Sequence, residues 1–334
     1  MESEGTKTKG GDEIEEDDDP GHDLTIYSVH SIVTATDNFS LRNKLGQGGF
    51  GHVYKGKLSG GREVAVKKLS KRSDQGLVEF RNEPILIAKL QHRNLVSLLG
   101  CCIHGEEKML VYEYMPNKSL DFFVFDESKR SLLCWNKRFI IIEGIAQGLL
   151  YLHKHSRVKI IHRDLKVGNI LLDENLNPNI LEANTNRPYA MNGTFSTKSD
   201  VFGFRIMLLE IVSGRKNYHL IQLDPAINLV GYAWKLWKEG TPLLLMDPTM
   251  SNPHNYKDEI LRCINIGLLC IEYNASDRPS MSEVISMLTN EVEPLPVPKQ
   301  PGFTMTRTVS IGKERREPEN CSANEVTMTS MSPR

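Results

Sequence analysis

One nine-residue stretch, Ile161-His162-Arg163-Asp164-Leu165-Lys166-Val167-Gly168-Asn169, does most to limit what this 334-residue chain can be. Between two apolar runs it sets a carboxylate, a lysine two positions on and an asparagine five positions on. Two of these residue types have a plain chemical use at this spacing. Asp164 can accept the proton of an attacking hydroxyl, and Asn169 can offer an oxygen to Mg²⁺. A solvated loop also favours His, Arg, Asp and Lys, but it has no need of these residues in this order.

The length suits one large domain or two lobes. Hydrophobic residues make up 40% of the chain and charged residues 25%, as in ordinary globular proteins. A net charge of −1 gives no general attraction to nucleic acid or acidic membranes, so no nucleic-acid partner is expected. Six cysteines without a C-x-x-C pair, two of them adjacent (Cys101 and Cys102), suit reduced apolar segments better than a disulfide framework. The chain shows neither an apolar leader at its start nor a run of about 18 apolar residues. It therefore reads as cytoplasmic, with no transmembrane segment of its own.

Residues 1–23 carry an acidic run, Asp12 to Asp19, and read as a disordered segment. Residues 24–42 read as a short strand and a helix leading into the domain. Gly46-Gln-Gly48-Gly-Phe-Gly51-His-Val53 has a glycine spacing that dinucleotide folds share. Those folds need a helix straight after the glycines. Here His52 to Leu58 alternates as a strand does, Gly60-Gly61 turns, and Glu63-Val-Ala-Val-Lys67 opens another strand. A glycine hairpin over phosphates is the expectation, with Lys67 on the α- and β-phosphates. Gln75 to Leu90 has helical apolar spacing and holds Glu83. Pro84 follows at once and removes a hydrogen bond, at a cost of roughly 3 kcal/mol in a helix interior. Leu95–Cys102 and Met109–Tyr114 read as buried strands. Helices are expected over Arg138–Leu152, Ser199–Val212, Ala226–Glu239, Ile260–Tyr273 and Met281–Leu288. A Pro-rich and then Ser/Thr-rich tail, 291–334, reads as disordered.

Leu45-Gly-Gln-Gly-Gly-Phe-Gly51, Leu90-Gln-His-Arg-Asn-Leu-Val96, Val111-Tyr-Glu-Tyr-Met-Pro-Asn-Lys-Ser-Leu120 and Ile161-His-Arg-Asp-Leu-Lys166 together resemble plant receptor-like serine/threonine protein kinases. The likeness is strongest to the S-locus, G-type lectin subfamily, and Cys321-Ser-Ala-Asn-Glu-Val-Thr327 looks like that subfamily's tail. The resemblance implies an α+β, bilobal protein-kinase-like fold, with an N-lobe over 43–115 and a C-lobe over 116–290. It implies ATP with Mg²⁺ or Mn²⁺ in the cleft, protein substrates or other receptor kinases as partners, and a place at the inner face of the plasma membrane. The ATP-binding residues it points to are Leu45, Gly46, Gly48, Gly51, Val53, Ala65, Lys67, Glu83, Tyr112, Glu113 and Met115. Glu83 would orient Lys67, Tyr112 would close the back of the pocket, and the backbone of Glu113–Met115 would meet adenine. Asp164, Lys166 and Asn169 would be catalytic, Asn169 also holding metal. His162, Arg163, Asp200 and Arg278 would be structural, with Asp200 bracing the catalytic-loop backbone.

One region departs from that pattern. No Asp-Phe-Gly follows the catalytic loop, and Ala-Pro-Glu is reduced to Pro188-Tyr-Ala-Met191. Asp164 and Asp200 stand 36 residues apart (200 − 164), on the order of two dozen too few for the pattern. By counting, Glu182 falls near the place of the missing metal-binding Asp. Arg278 matches the arginine that would pair with the absent glutamate of Ala-Pro-Glu. Arg205 stands where the family usually has glycine, and must snorkel, pair or fill space the shortened segment leaves. The expectation is a kinase-family domain impaired in catalysis, or a pseudokinase that binds nucleotide or scaffolds partners.

Overall fold

The computed structural model describes residues 24–48, 51–70, 84, 87–156, 159–181, 196–218, 228–250, 253–270, 277–290 and 292–299. Six strands form the N-lobe sheet: β1 (Thr25–Ile26), β2 (Lys44–Gly48), β3 (Gly51–Lys57), β4 (Glu63–Leu69), β5 (Leu98–His104) and β6 (Glu107–Glu113). They lie in the order β1-β5-β6-β4-β3-β2. Only β1 runs parallel to its neighbour.

Side chains alternate across this sheet, so apolar residues at every second position bury both faces. Val64, Val66, Cys102, Met109 and Val111 meet Ile32 on the outer face. Ala65, Leu98, Cys101, Leu110 and Tyr112 meet Ile87 and Met115 on the face toward the cleft. Ile32 comes from α1 (Val29–Ala35), which starts where the Ser28 hydroxyl accepts from Ser31 N at 3.1 Å. The helix stops at Thr36, whose buried hydroxyl turns back to the Ile32 carbonyl at 2.8 Å. Asp37, Asn38 and Phe39 then reverse the chain with φ of 53°, 52° and 53°.

The C-lobe is helical: α2 (Asp121–Val124), α3 (Glu127–Arg130), α4 (Trp135–Leu150), α5 (Thr197–Ser213), α6 (Leu229–Lys238), α7 (Lys257–Leu269) and α8 (Met281–Thr289). Its core joins Ile141, Ile145 and Leu149 of α4 to Phe204, Leu208 and Val212 of α5 and Ile264 of α7. Full burial of each such side chain is worth about 1.5–3 kcal/mol. A hairpin of β7 (Ile170–Leu172) and β8 (Pro178–Ile180) lies on α4. Gly144 and Gly148 make that approach possible, because a Cβ there would stand 2.5 Å from Pro178 and 2.8 Å from Ile180. Arg138, fully buried, reaches the Ile211 carbonyl at 2.8 Å and the Asp247 carboxylate at 2.5 Å, tying α4 to the end of α5.

The lead-in strand and helix, the strands around Gly60-Gly61 and the large helices stand where the residues predicted them. Several ends shift by a few residues: the helix predicted over Ile260–Tyr273 runs Lys257–Leu269, and the strand predicted over Met109–Tyr114 runs Glu107–Glu113. Two further shifts are larger features of the fold. The strand predicted from Leu95 begins at Leu98, because Val96 N donates instead to the Ile180 carbonyl at 3.0 Å, across to the β7–β8 hairpin. The helix predicted from Arg138 starts at Trp135 and widens into a π turn at Tyr151–His155. Of the expected Gln75–Leu90 helix, residues 84 and 87–90 are described, and Pro84, Ile87 and Ala88 are helical.

Candidate active site

The loop 161–169 is held from below by one carboxylate. Asp200, 1% exposed in the first turn of α5, accepts from the backbone N–H of His162 (2.7 Å) and of Arg163 (2.9 Å). His153 Nε2 completes the set at 2.8 Å. These contacts hold Arg163 at φ 68°, a conformation that costs a side-chain-bearing residue on the order of 1 kcal/mol or more. His162 is buried, and desolvation holds its pKa below the usual histidine value. The neutral ring donates from Nε2 to the Leu181 carbonyl at 2.9 Å. Its Nδ1 has no hydrogen-bond partner among the described residues.

Above this base the three catalytic candidates converge. Lys166 Nζ lies 2.8 Å from Asp164 Oδ2. Asn169 Nδ2 donates to the Asp164 carbonyl at 2.7 Å and to Oδ2 at 3.0 Å. Committing the amide nitrogen this way leaves Asn169 Oδ1 as the atom for a cation. Both side-chain contacts fall on Oδ2, which leaves Oδ1 of Asp164 to take a hydroxyl proton. The pair is open to solvent, with Asp164 and Lys166 side chains 56% and 57% exposed.

The nucleotide candidates form a transverse row. Gly46 of β2 stands opposite Val53 of β3, Val53 opposite Lys67 of β4, and Lys67 opposite Leu110 of β6. Leu45 falls at the irregularity between Lys44 and Gly46 and is exposed. Ala65 faces Tyr112 across the ladder, and both share the cleft-side cluster with Met115. The Glu113 carboxylate accepts from Ser97 N at 2.6 Å and Glu113 N donates back to the Ser97 carbonyl at 3.0 Å, so both side chain and backbone tie this residue to the segment before β5.

The glycines separate into two kinds. Gly51 has φ 131°, and a Cβ there would lie 1.9 Å from the Lys68 carbonyl, so the protein itself demands glycine. At Gly46 and Gly48 a Cβ would meet nothing within 4 Å. Their bareness suits close approach of a ligand to the backbone, and a nucleotide fits this cradle. The metal set is thinner. Among the described residues Asn169 is the candidate ligand, and no group of three or more His, Cys, Asp or Glu could hold an ion.

Glu83 and Glu182 lie outside the described residues. Arg278 Nη1 approaches the Lys198 carbonyl at 3.5 Å, and the Lys198 ammonium donates to the Arg278 carbonyl. Phe202 lies beneath both Arg205 (3.3 Å) and Arg278 (5.1 Å). Arg205 therefore does not snorkel. It is 3% exposed, and desolvation with the neighbouring Arg278 charge draws its pKa down to about 9.

Sequence reading missed Leu171 and Asn94. Leu171 packs against the cluster of Tyr112 and Met115 as its floor on the C-lobe side. The signal was the apolar triplet Ile170–Leu172, in which the middle residue must face away from its neighbours. Asn94 accepts from Ile180 N at 2.9 Å through its carbonyl and donates to the Pro178 carbonyl at 3.0 Å, stitching β8 to the segment before β5.

The family profile described as protein tyrosine and serine/threonine kinase matches residues 39–183. The G-type lectin S-receptor-like serine/threonine-protein kinase B120 of Arabidopsis thaliana is 51% identical over 334 residues, covering 92% of this chain. This chain belongs to the receptor-like serine/threonine protein kinase family. Cysteine-rich receptor-like protein kinase 10 of Arabidopsis thaliana is likewise 51% identical, over 88% of the chain. The chain spans 39% and 48% of the lengths of those two receptor-like kinases. Among solved structures, the pseudokinase domain of BIR2, described as an immune regulator of the RLK/Pelle family, superposes with a TM-score of 0.68. It is 31% identical, and the match covers 78% of this chain and 85% of that one. Among the described residues, no helix is long and apolar enough to cross a membrane.

Proposed function

We propose that this chain is the nucleotide-binding kinase domain of a plant receptor-like kinase in which γ-phosphate transfer to protein Ser/Thr is severely impaired. The observation that carries this reading is the contrast around Leu181. On one side Asp164, Lys166 and Asn169 are assembled within hydrogen-bond distance of one another. On the other, Leu181, gripped by His162 and by the Asn169 carbonyl, is followed by Glu-Ala-Asn, where the metal-binding Asp-Phe-Gly would belong. Only 15 residues (182–196) then separate Leu181 from Thr197, the first residue of α5. A metal anchor and the platform for the acceptor hydroxyl are both short of material.

On this reading ATP sits under residues 45–53, with Lys67 on its phosphates and the backbone of Glu113–Met115 against adenine. Lobes span 43–115 and 116–290, with 24–42 as the lead-in. Its cellular role is that of a nucleotide-dependent binding or scaffolding domain for protein partners, acting on the cytoplasmic side of the plasma membrane. The test is a thermal-shift titration. ATP at 100 times its dissociation constant stabilises the fold by about 2.7 kcal/mol. Omitting Mg²⁺ should change that little. No shift at millimolar ATP would overturn the nucleotide-binding reading.

A further inference from the structure

The lead-in strand crosses the open edge of the N-lobe sheet and touches both of its faces. Tyr27 and Val29 pack against the outer cluster of Ile32, Val64 and Met109. Leu24 packs instead against the cleft-side cluster, where Ile87, Tyr112, Met115, Leu171 and Leu181 meet. Between them β1 pairs in parallel with β5, Thr25 opposite Gly100 and Ile26 opposite Cys101, and Tyr27 N donates to the Cys101 carbonyl at 2.8 Å. The fit depends on one missing side chain. A Cβ on Gly100 would lie 2.1 Å from the Thr25 carbonyl oxygen and 2.6 Å from the Tyr27 ring. Gly100 is not among the glycines with positive φ, so its own backbone would accept any residue. The three atoms nearest to that Cβ all belong to the docked strand, so the docked strand requires glycine there.

We propose that residues 24–27 are a releasable strap: docked across Gly100, they order the cleft-side cluster, and peeled away they loosen the nucleotide pocket. The parallel pairing is two residues long and sits at a sheet edge, where main-chain pairing is weakest and a competing strand has access. Leu24 is the link between the strap and the site. Through it the strap shares one apolar cluster with Tyr112 and Met115 at the base pocket, and with Leu181 immediately before Glu182. A pull on the chain before Leu24, or a strand that takes the β5 edge, would thus be felt at the pocket with no ligand bound to it. The effect on nucleotide rests on the nucleotide-binding reading above; the effect on local order does not.

The experiment is hydrogen exchange on the full chain, paired with the ATP thermal shift, in wild type and three variants. Gly100→Ala blocks docking, Leu24→Ala removes the link but keeps the strand, and Ile26→Ser alters a side chain that is 77% exposed. Gly100→Ala is expected to free the Tyr27 amide and to speed exchange across 108–115 and 170–172. Leu24→Ala should speed exchange in those two segments while Tyr27 stays protected. Ile26→Ser should match wild type. The ATP shift should shrink in the first two and persist in the third. The proposal is overturned if Tyr27 remains protected in Gly100→Ala, or if Tyr27 is freed while 108–115 and 170–172 exchange as in wild type. Should Gly100→Ala fail to fold, Leu24→Ala decides alone, and unchanged exchange in the two segments then overturns it. A wild-type chain without an ATP shift would sink the nucleotide reading and leave the exchange result to judge the strap.

Discussion

Asp200 shows how much of the site rests on one residue. It is buried, and three donors converge on it: two backbone N–H groups of the catalytic loop and the His153 ring. Hydrogen bonds to a charged acceptor are worth about 1.5–3 kcal/mol each, and stranding buried donors adds their desolvation. Asp200→Ala is therefore expected to cost roughly 3–5 kcal/mol, the range for breaking a buried charged cluster. It should also release Arg163 from its left-handed backbone. Urea unfolding monitored by circular dichroism reads the first effect. A loss under about 1 kcal/mol, the worth of one neutral hydrogen bond, would show that the loop is held by packing instead.

At the scale of elements, the Arg138–Asp247 pair makes a sharper stability test than any surface contact. Both side chains have no exposure, and the guanidinium also bonds the carbonyls of Leu133 and Ile211. Asp247→Ala leaves that cation buried and should cost about 3–5 kcal/mol, whereas Arg138→Met with Asp247→Leu should recover most of the loss. A double variant no more stable than the single one would contradict this. Elements whose cue is local were legible beforehand. The strand after Gly51 was separable from a helix by alternation in His52–Leu58, and Gly51 itself by the hairpin it closes. What stayed hidden was non-local. Nothing near Leu95 or Val96 says that they pair with Ile180, 85 and 84 positions away (180 − 95 and 180 − 96). Nor does Gly100 announce Thr25. In the site, Asp164, Lys166 and Asn169 were legible because one loop carries all three. Leu171 was not, because its role depends on which face of a three-residue strand meets the other lobe.

Across the whole molecule, one buried acid makes stability depend on pH near neutrality. Glu210 is 8% exposed, and desolvation raises its pKa to about 7 despite the N–H of Asn217 at 2.9 Å. Its ordinary value is 4.5, so between pH 4.5 and 7 the folded state holds the proton more tightly than the unfolded chain. The stabilisation is complete below pH 4.5 and is lost as pH rises through 7, at about 1.4 kcal/mol per unit of difference. Comparing urea midpoints at pH 6 and pH 8, Glu210→Gln should fall less than wild type, and equal falls would reject the assignment. The larger claim concerns catalysis, where a metal ligand and the acceptor platform each supply ~3–4 kcal/mol to a transition state that depends on positioning and charge. Without both, transfer slows by roughly 10⁴–10⁶-fold. The direct measurement is radiolabel transfer from ATP to protein, with Mg²⁺ or Mn²⁺, by the unmodified chain beside its Asp164→Asn variant. No transfer above that variant is expected, with activity only after an Asp-Phe-Gly to Ala-Pro-Glu segment is inserted between Ile180 and Tyr189. Transfer by the unmodified chain that vanishes in Asp164→Asn would contradict it.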